Sequence, residues 1–509
     1  MNLALADDII PFVKHLIWSE SVLIASLAAC QFPQPPDIAG EAGPPRRTLT
    51  VTADGPGTVT SQPAGLNCAG DTCTAQFDDG ATVNLTAQAN GGALFTTYGG
   101  ACAGPQPTCA VAMTEDRAVT ATFAAFQCTP NTTTCTQQQL VECDGSGVAQ
   151  VTPCLFGCHP GGTRCYDLAP SNVGIAACLD ASAVEPDAII PDGSTINTDD
   201  GTIRTAGGAP INVASETIAA PTNGVDVRCF RVNRLTIGQT TVVGSRALAI
   251  AANGDVTITG HVSVSARAFD QPGPGHFTLL TNCTGQNGTL GGGFVAGGGG
   301  GGGFGAAGGT GGTGASNNGG QGGPANGTAE LVPLRGGCSG GIPGGAAAIT
   351  YPNAAGAIQV VSRIGISLAA SAGLSASGWG GGGGGKPTHG GGSGGAILLE
   401  APFVQTVDAA FIVANGGGGG GLTPGTPGGI TTMRAAGGPG GSSGPVPYGA
   451  GGFGGSRDGN AADGTGSTSA GGGGGGAAGR IRINTYQAFA PAAAAIVSPA
   501  PSTSTAARR

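Results

Sequence analysis

The chain has 509 residues, enough for several domains, and 39% of them are hydrophobic, so composition does not forbid a core. Ordinary globular usage is broken by 102 glycines beside only 10% charged and 5% aromatic residues, which points to repetitive architecture. A formal charge of -9 with only two lysines, Lys14 and Lys386, leaves no basic stripe for a phosphate backbone and excludes nucleic acid as a partner.

In chain order, Lys14-His15 precedes the apolar run LIWSESVLIASLAAC, which ends on Leu27-Ala28-Ala29-Cys30. Small residues ahead of a cysteine fit a signal peptidase, and the thiol can carry diacylglycerol; the segment resembles a bacterial lipoprotein signal with its lipobox. The resemblance implies that residues 1–30 are a leader, that Cys30 is the lipidated mature N-terminus, and that a membrane is the partner there. Gln31, in place of Asp, resembles sorting to a Gram-negative outer membrane. Glu20 interrupts the apolar run, and Asp7-Asp8 stand where a basic lead-in belongs, a departure that translation from near Val13 removes. Residues 31–47 are proline-rich and polar and read as an extended tether.

Setting Cys30 aside leaves 14 of the 15 cysteines, an even number in local groups. Cys68 can pair with Cys73 and Cys102 with Cys109; Cys128, Cys135, Cys143, Cys154, Cys158 and Cys165 form a cluster; Cys178, Cys229, Cys283 and Cys338 follow. Even, clustered cysteines in an exported chain read as disulfides. The cluster lacks C-x2-C knuckles and has only His159 nearby, so zinc is the weaker reading, and its connectivity stays open.

Residues 48–124 alternate with period two, as at Leu49/Val51, Val83/Leu85 and Val119/Ala121/Phe123, between Asp54-Gly-Pro-Gly57 and Asp78-Asp-Gly80 turns. The stretch from LTVTADGPGTVT to DRAVTATF resembles the divergent bacterial surface repeat related to internalin B-repeats, with Tyr98-Gly99-Gly100 where that repeat carries Trp-x-Gly. The resemblance implies extracellular display and spacing, and no catalysis. Residues 125–168 are expected to be a loop-rich, disulfide-stapled spacer.

The glycine-rich half repeats itself. The segments beginning GSRALAIAANGDVTITG at Gly244, AAGAIQVVSRIGISLAA at Ala354, SGGAILLEAPFVQTVDA at Ser393 and AAGRIRINTYQ at Ala477 share one pattern. In the first three, a small residue (Ala247, Ala357, Ala396) leads an apolar-x-apolar triplet, and two more short apolar strands follow within about 20 residues, the size of one solenoid coil. A lone coil exposes its apolar face and its edges, so stacking is favoured. The expectation is an all-β chain whose residues 169–487 form a parallel β-helix (solenoid), preceded by the small β-module and the cysteine-rich spacer; this half is similar to glycine-rich β-helix proteins of bacterial surfaces. Glycine-rich excursions, roughly 267–353, 377–395 and 415–476, leave the coils. They either stay disordered or pack as polyproline-II-like strands. Phe294, Phe304, Tyr448 and Phe453 stand among the glycines as buried anchors or exposed contacts, and a Cys283–Cys338 bond would restrict the largest excursion by about 4 kcal/mol. The tail, 488–509, reads as disordered.

Catalytic equipment is thin. Acids in the repeats are scattered; Glu400 and Asp408 belong to one coil and could share a face, but no basic residue lies beside them in sequence. His261, His276 and His389 are solitary and read as surface residues. No cofactor, metal or enzymatic activity is expected. The reading is a lipid-anchored, outer-membrane, cell-surface protein with a structural or adhesive role toward matrix, glycans or surface proteins; the rival is a polysaccharide-degrading β-helix enzyme using Glu400 and Asp408.

Overall fold

A computed structural model describes residues 45–90, 92–126, 128–268, 270–277, 283–290, 295–315, 318–345, 354–383 and 388–509. The leader, Cys30 and residues 31–44 of the tether lie outside the described residues. The described chain is all-β, with 39% strand and 3% helix, and none of its helices is long and apolar enough to cross a membrane.

The alternation in residues 46–125 folds into two four-stranded sheets. Thr72–Asp78, Arg46–Asp54, Arg117–Ala125 and Ala93–Gly100 make one; Asn67–Ala69, Gly57–Gln62, Thr82–Ala89 and Thr108–Ala112 make the other. Because side chains alternate across a strand, Leu49, Val51, Val83, Leu85, Phe95 and Val119 all fall inside, at most 2% exposed. The six-cysteine segment docks onto this module. Its strands Thr133–Thr136, Gln139–Cys143 and Ala149–Pro153 send Val141 and Val151 into the same core, and the Gln139 amide bonds both the N–H and the C=O of Phe95.

From residue 188 the chain repeatedly lays one strand into each of three sheets. The seven-stranded sheet runs Ala214–Ile218, Val227–Val232, Ala247–Ala252, Ala357–Ser362, Ala396–Ala401, Arg480–Thr485 and Ser502–Thr505. A five-stranded sheet ends on Val404–Thr406 and an eight-stranded one on Ile496–Ser498. Strands of successive passes pair in parallel and in register: Leu248 with Ile358, Ile358 with Ile397, and Ile397 with Ile481. The same holds for Val256, Ile366 and Val404, and for Val262, Leu374, Ile412 and Val497. Like sits on like, so the aliphatic residues form one buried column.

The three central strands of the seven-stranded sheet, Ala247–Ala252, Ala357–Ser362 and Ala396–Ala401, are buried on both faces. Leu248, Ile250 and Ala252 point into the column, while Ala247, Ala249 and Ala251 point outward beneath helix Val173–Ala181, which contributes Ile175 and Leu179 and is tied down by the Cys178–Cys229 disulfide. The leading alanines Ala247, Ala357 and Ala396 all lie in this outer packed layer, where a small residue fits beneath what covers it.

Two boundaries differ from the sequence reading. Val227–Val232, Leu235–Ile237 and Thr240–Val243 form a full pass before Gly244, lacking the small leading residue that marks the next three. The tail 488–509 is not disordered: Ile496–Ser498 pairs with Phe411–Val413, and Ser502–Thr505 with Arg480–Thr485. Its composition is too poor for a core of its own, but an edge already in place needs only backbone groups to pair.

Candidate functional site

The glycine excursions leave the corner between the eight-stranded and seven-stranded sheets, and their described residues are ordered. At their start the ladder continues with period two, Ala376 N donating to Val413 O at 2.8 Å and Gly378 N to Asn415 O at 2.8 Å; the next bond is Gly381 N to Gly418 O, three residues on. Period three then governs. Gly297, Gly300 and Gly303 donate to Thr289, Gln286 and Cys283; Gly298 and Gly301 to Gly312 and Gly309; Gly299 and Gly302 to Thr388 and Gly391. Their carbonyls keep the same period: Gly297 and Gly300 accept from Gly344 and Gly341, Gly298 and Gly301 from Gly320 and Gly323, Gly299 and Gly302 from Gly474 and Ala477. Three residues per turn is the repeat of a polyproline-II helix, which has no internal hydrogen bonds. Each strand therefore spends its bonds on neighbours, and 297–303 has one on each of six sides.

Residues 416–420 and 471–477 are surrounded in the same way. In such strands a Cβ at Gly300 would lie 2.0 Å from the Gln321 carbonyl oxygen, and one at Gly474 would lie 1.9 Å from that of Gly309. At the rim every third residue faces outward, and there the run relaxes to Gly-Gly-x, as in Gly308-Gly309-Thr310-Gly311-Gly312-Thr313.

The aromatics divide between both proposed roles. Phe304 is fully buried and Tyr448 is 7% exposed, so they are anchors; Phe453 is 46% exposed, with the Arg434 guanidinium 4.7 Å above its ring. Phe294 lies outside the described residues. The segment carrying exposed Ile430 and Met433 runs beside Phe453, held by Gly454 N to Ala435 O at 2.9 Å and Ser456 Oγ to Thr432 O at 2.6 Å. This rim is the candidate contact surface.

Other predicted groups fall elsewhere. Glu400 has no exposure. Its carboxylate accepts from Ser171 N at 3.1 Å and from Ser171 Oγ, from Gln359 Nε2 at 2.6 Å and from Asn484 Nδ2 at 3.0 Å. Asp408 sits in the turn from the five-stranded to the eight-stranded sheet and accepts from Ala494 N at 3.3 Å. The two do not share a face as an acid/base pair: one is sealed in a polar ladder and the other helps seat the tail. Asp463 likewise accepts from Thr310 N at 2.6 Å within the glycine bundle.

His261 is half-buried, its Nε2 2.6 Å from Ser375 Oγ and its ring edge-on to Phe411; burial holds its pKa below the ordinary histidine value. Burial likewise lowers His276 and His389, in each case against an opposing backbone hydrogen bond. The surface expectation for these histidines missed how closely backbone packs around them.

The 14 cysteines form Cys68–Cys73, Cys102–Cys109, Cys128–Cys143, Cys135–Cys158, Cys154–Cys165, Cys178–Cys229 and Cys283–Cys338. Cys135, Cys154 and Cys158 have sulfurs close enough for a metal, but all three are committed to disulfides.

Residues 47–127 match the family described as the Divergent InlB B-repeat domain, which supports a bacterial surface-associated segment. Tyr98, in the place of that repeat's tryptophan, is 3% exposed, packs 4.8 Å from Phe95, and has its pKa raised by burial. Comparison of the chain with curated proteins and with solved structures returned no match.

Proposed function

We propose that this chain is a bacterial cell-surface lipoprotein with a structural or adhesive role, in which a parallel β-helix carries a polyproline-II glycine bundle outward from the membrane. The surface-repeat match at residues 47–127 supports the compartment, and the seven disulfides suit an oxidising one. The observation that carries the role is the period-three hydrogen bonding. A segment that could have been a flexible polymer is locked to six neighbours per central strand and presents a fixed rim with Ile430, Met433 and Phe453 uncovered. Exposed apolar groups on a rigid support suit contact with another surface. Glu400, one of the two acids that the polysaccharide-degrading alternative needs, is sealed by three side chains, which weighs against that alternative.

The test is made on cells. Wild-type protein is expected in the outer-membrane fraction with a diacylglyceryl mass on the peptide beginning at Cys30, Cys30→Ala is expected in the soluble fraction, and Phe453→Ala with Met433→Ala is expected to lower attachment to glycan-coated surfaces. An unmodified Cys30, together with a protein that antibodies cannot reach on intact cells, would overturn the reading.

A further inference from the structure

Where the module meets the stack there is a cleft of about 430 Å³, within the roughly 300–1,000 Å³ of small-molecule sites. Asn84, Gln106 and Gln138 line it from the module side, and Gln405, Tyr486 and Gln487 from the stack. Both walls belong to sheet ends: Thr108–Ala112 is the last strand of its four-stranded sheet, and Val404–Thr406 the last of the five-stranded one. The pass that begins with Arg480–Thr485 adds no strand to the five-stranded sheet, because the chain runs through 486–495 without a strand before Ile496–Ser498 and so leaves the space open.

No described residue lining the cleft is charged. Five side-chain amides and the rings of Phe403 and Tyr486 supply its chemistry. Asn84 is 4% and Gln405 6% exposed, yet Asn84 Oδ1 and Gln405 Oε1 accept no hydrogen bond from any described residue. Gln405 Nε2 is committed to the Thr82 carbonyl, which fixes the orientation of that amide and leaves its oxygen as the free group. Two unpaired buried acceptors at one site call for a specific partner, since almost all such atoms in folded proteins are bonded.

We propose that this cleft binds a neutral saccharide. Vicinal hydroxyls both donate and accept, which amides match in pairs, and the C–H face of a pyranose packs on aromatic rings. Uronates, phosphates and acidic peptides would enter without a cation to meet them. The proposal deepens the surface reading by naming a ligand class. It rests on that reading only for where the sugar is met, so binding by purified protein is scored separately from attachment by cells.

The purified full chain is titrated calorimetrically with tetrasaccharides of β-1,4-glucose, β-1,4-N-acetylglucosamine and α-1,4-glucose, with a galacturonate tetrasaccharide as charged control. At least one neutral sugar binds at sub-millimolar concentration and the control does not. Asn84→Leu weakens that binding about tenfold, the loss expected for one buried hydrogen bond. Gln487→Ala, at the half-exposed wall, weakens it several-fold without changing the melting temperature, and stands as the test if Asn84→Leu fails to fold. Absence of binding by every neutral sugar at millimolar concentration overturns the proposal. So does binding that Gln487→Ala and a folded Asn84→Leu leave within twofold, or displacement of the sugar by an uncharged hexapeptide.

Discussion

At the residue scale the glycine bundle turns on a single atom. A methyl group at Gly474 would stand 1.9 Å from a backbone oxygen, and backbone, unlike a flexible side chain, cannot step aside. Gly474→Ala is therefore expected to cost about 3 kcal/mol or more, read as a lower melting temperature and faster tryptic nicking, whereas Thr313→Ala on the exposed rim stays within about 0.5 kcal/mol. Glu400 is the opposite case, a residue whose side chain is the point. Glu400→Leu strands donors on Ser171, Gln359 and Asn484, each worth about 1–3 kcal/mol when left unpaired. A urea midpoint well below wild type checks it; an unchanged midpoint would remove the ladder from the account of stability. The sequence shows Glu400 inside an apolar strand but not its partners, since Ser171 lies 229 residues away.

At the element scale, what could be read in advance was whatever repeats. The triplets Ile358/Val360 and Ile397/Leu399 announce themselves because stacking demands like on like, and the structure sets them in register. The pass at 227–243 was hidden because Val227 stands where the next three passes carry alanine. The tail was hidden because its strands borrow an edge and bring little hydrophobicity of their own. The number of neighbours around each glycine strand was also out of reach, since it depends on three excursions meeting. The tail's service as an edge cover is testable. Truncation after Gln487 uncovers Phe411–Val413 and Arg480–Thr485, whose unpaired backbone groups are templates for another chain. The truncated protein is expected to elute as aggregates in size-exclusion chromatography under conditions where the full chain does not; monodisperse elution would show that the tail strands are dispensable.

At the scale of the whole molecule, the end of the chain is latched to the segment that leaves the cysteine-rich module. Asp167 and Arg509 exchange backbone hydrogen bonds, and Arg363 reaches Asp167 at 2.7 Å and Asp180 at 2.8 Å, with Arg509 contacting the same two carboxylates. Burial works to raise the Asp167 pKa, but the hydrogen bonds and charge of Arg363, helped by Arg509, hold it below its ordinary 3.8. A carboxylate lowered on folding stabilises above its unfolded value, and that contribution is lost as pH falls through the lower folded one. The three histidines lowered by burial act earlier. Below about 6.5 the unfolded chain takes up protons that the folded chain refuses, so stability starts to fall there. Asp255, raised by burial against the pull of Arg234, opposes the acid loss in part. Urea midpoints measured from pH 7.5 to 3 should thus decline in two stages, one beginning near 6.5 and a steeper one below 3.8. Asp167→Asn should lower stability at pH 7 by about 1 kcal/mol, the scale of a partly exposed ion pair, read as a lower urea midpoint, and flatten the second stage alone. A second stage unchanged in Asp167→Asn would mean that the latch does not govern the acid limit.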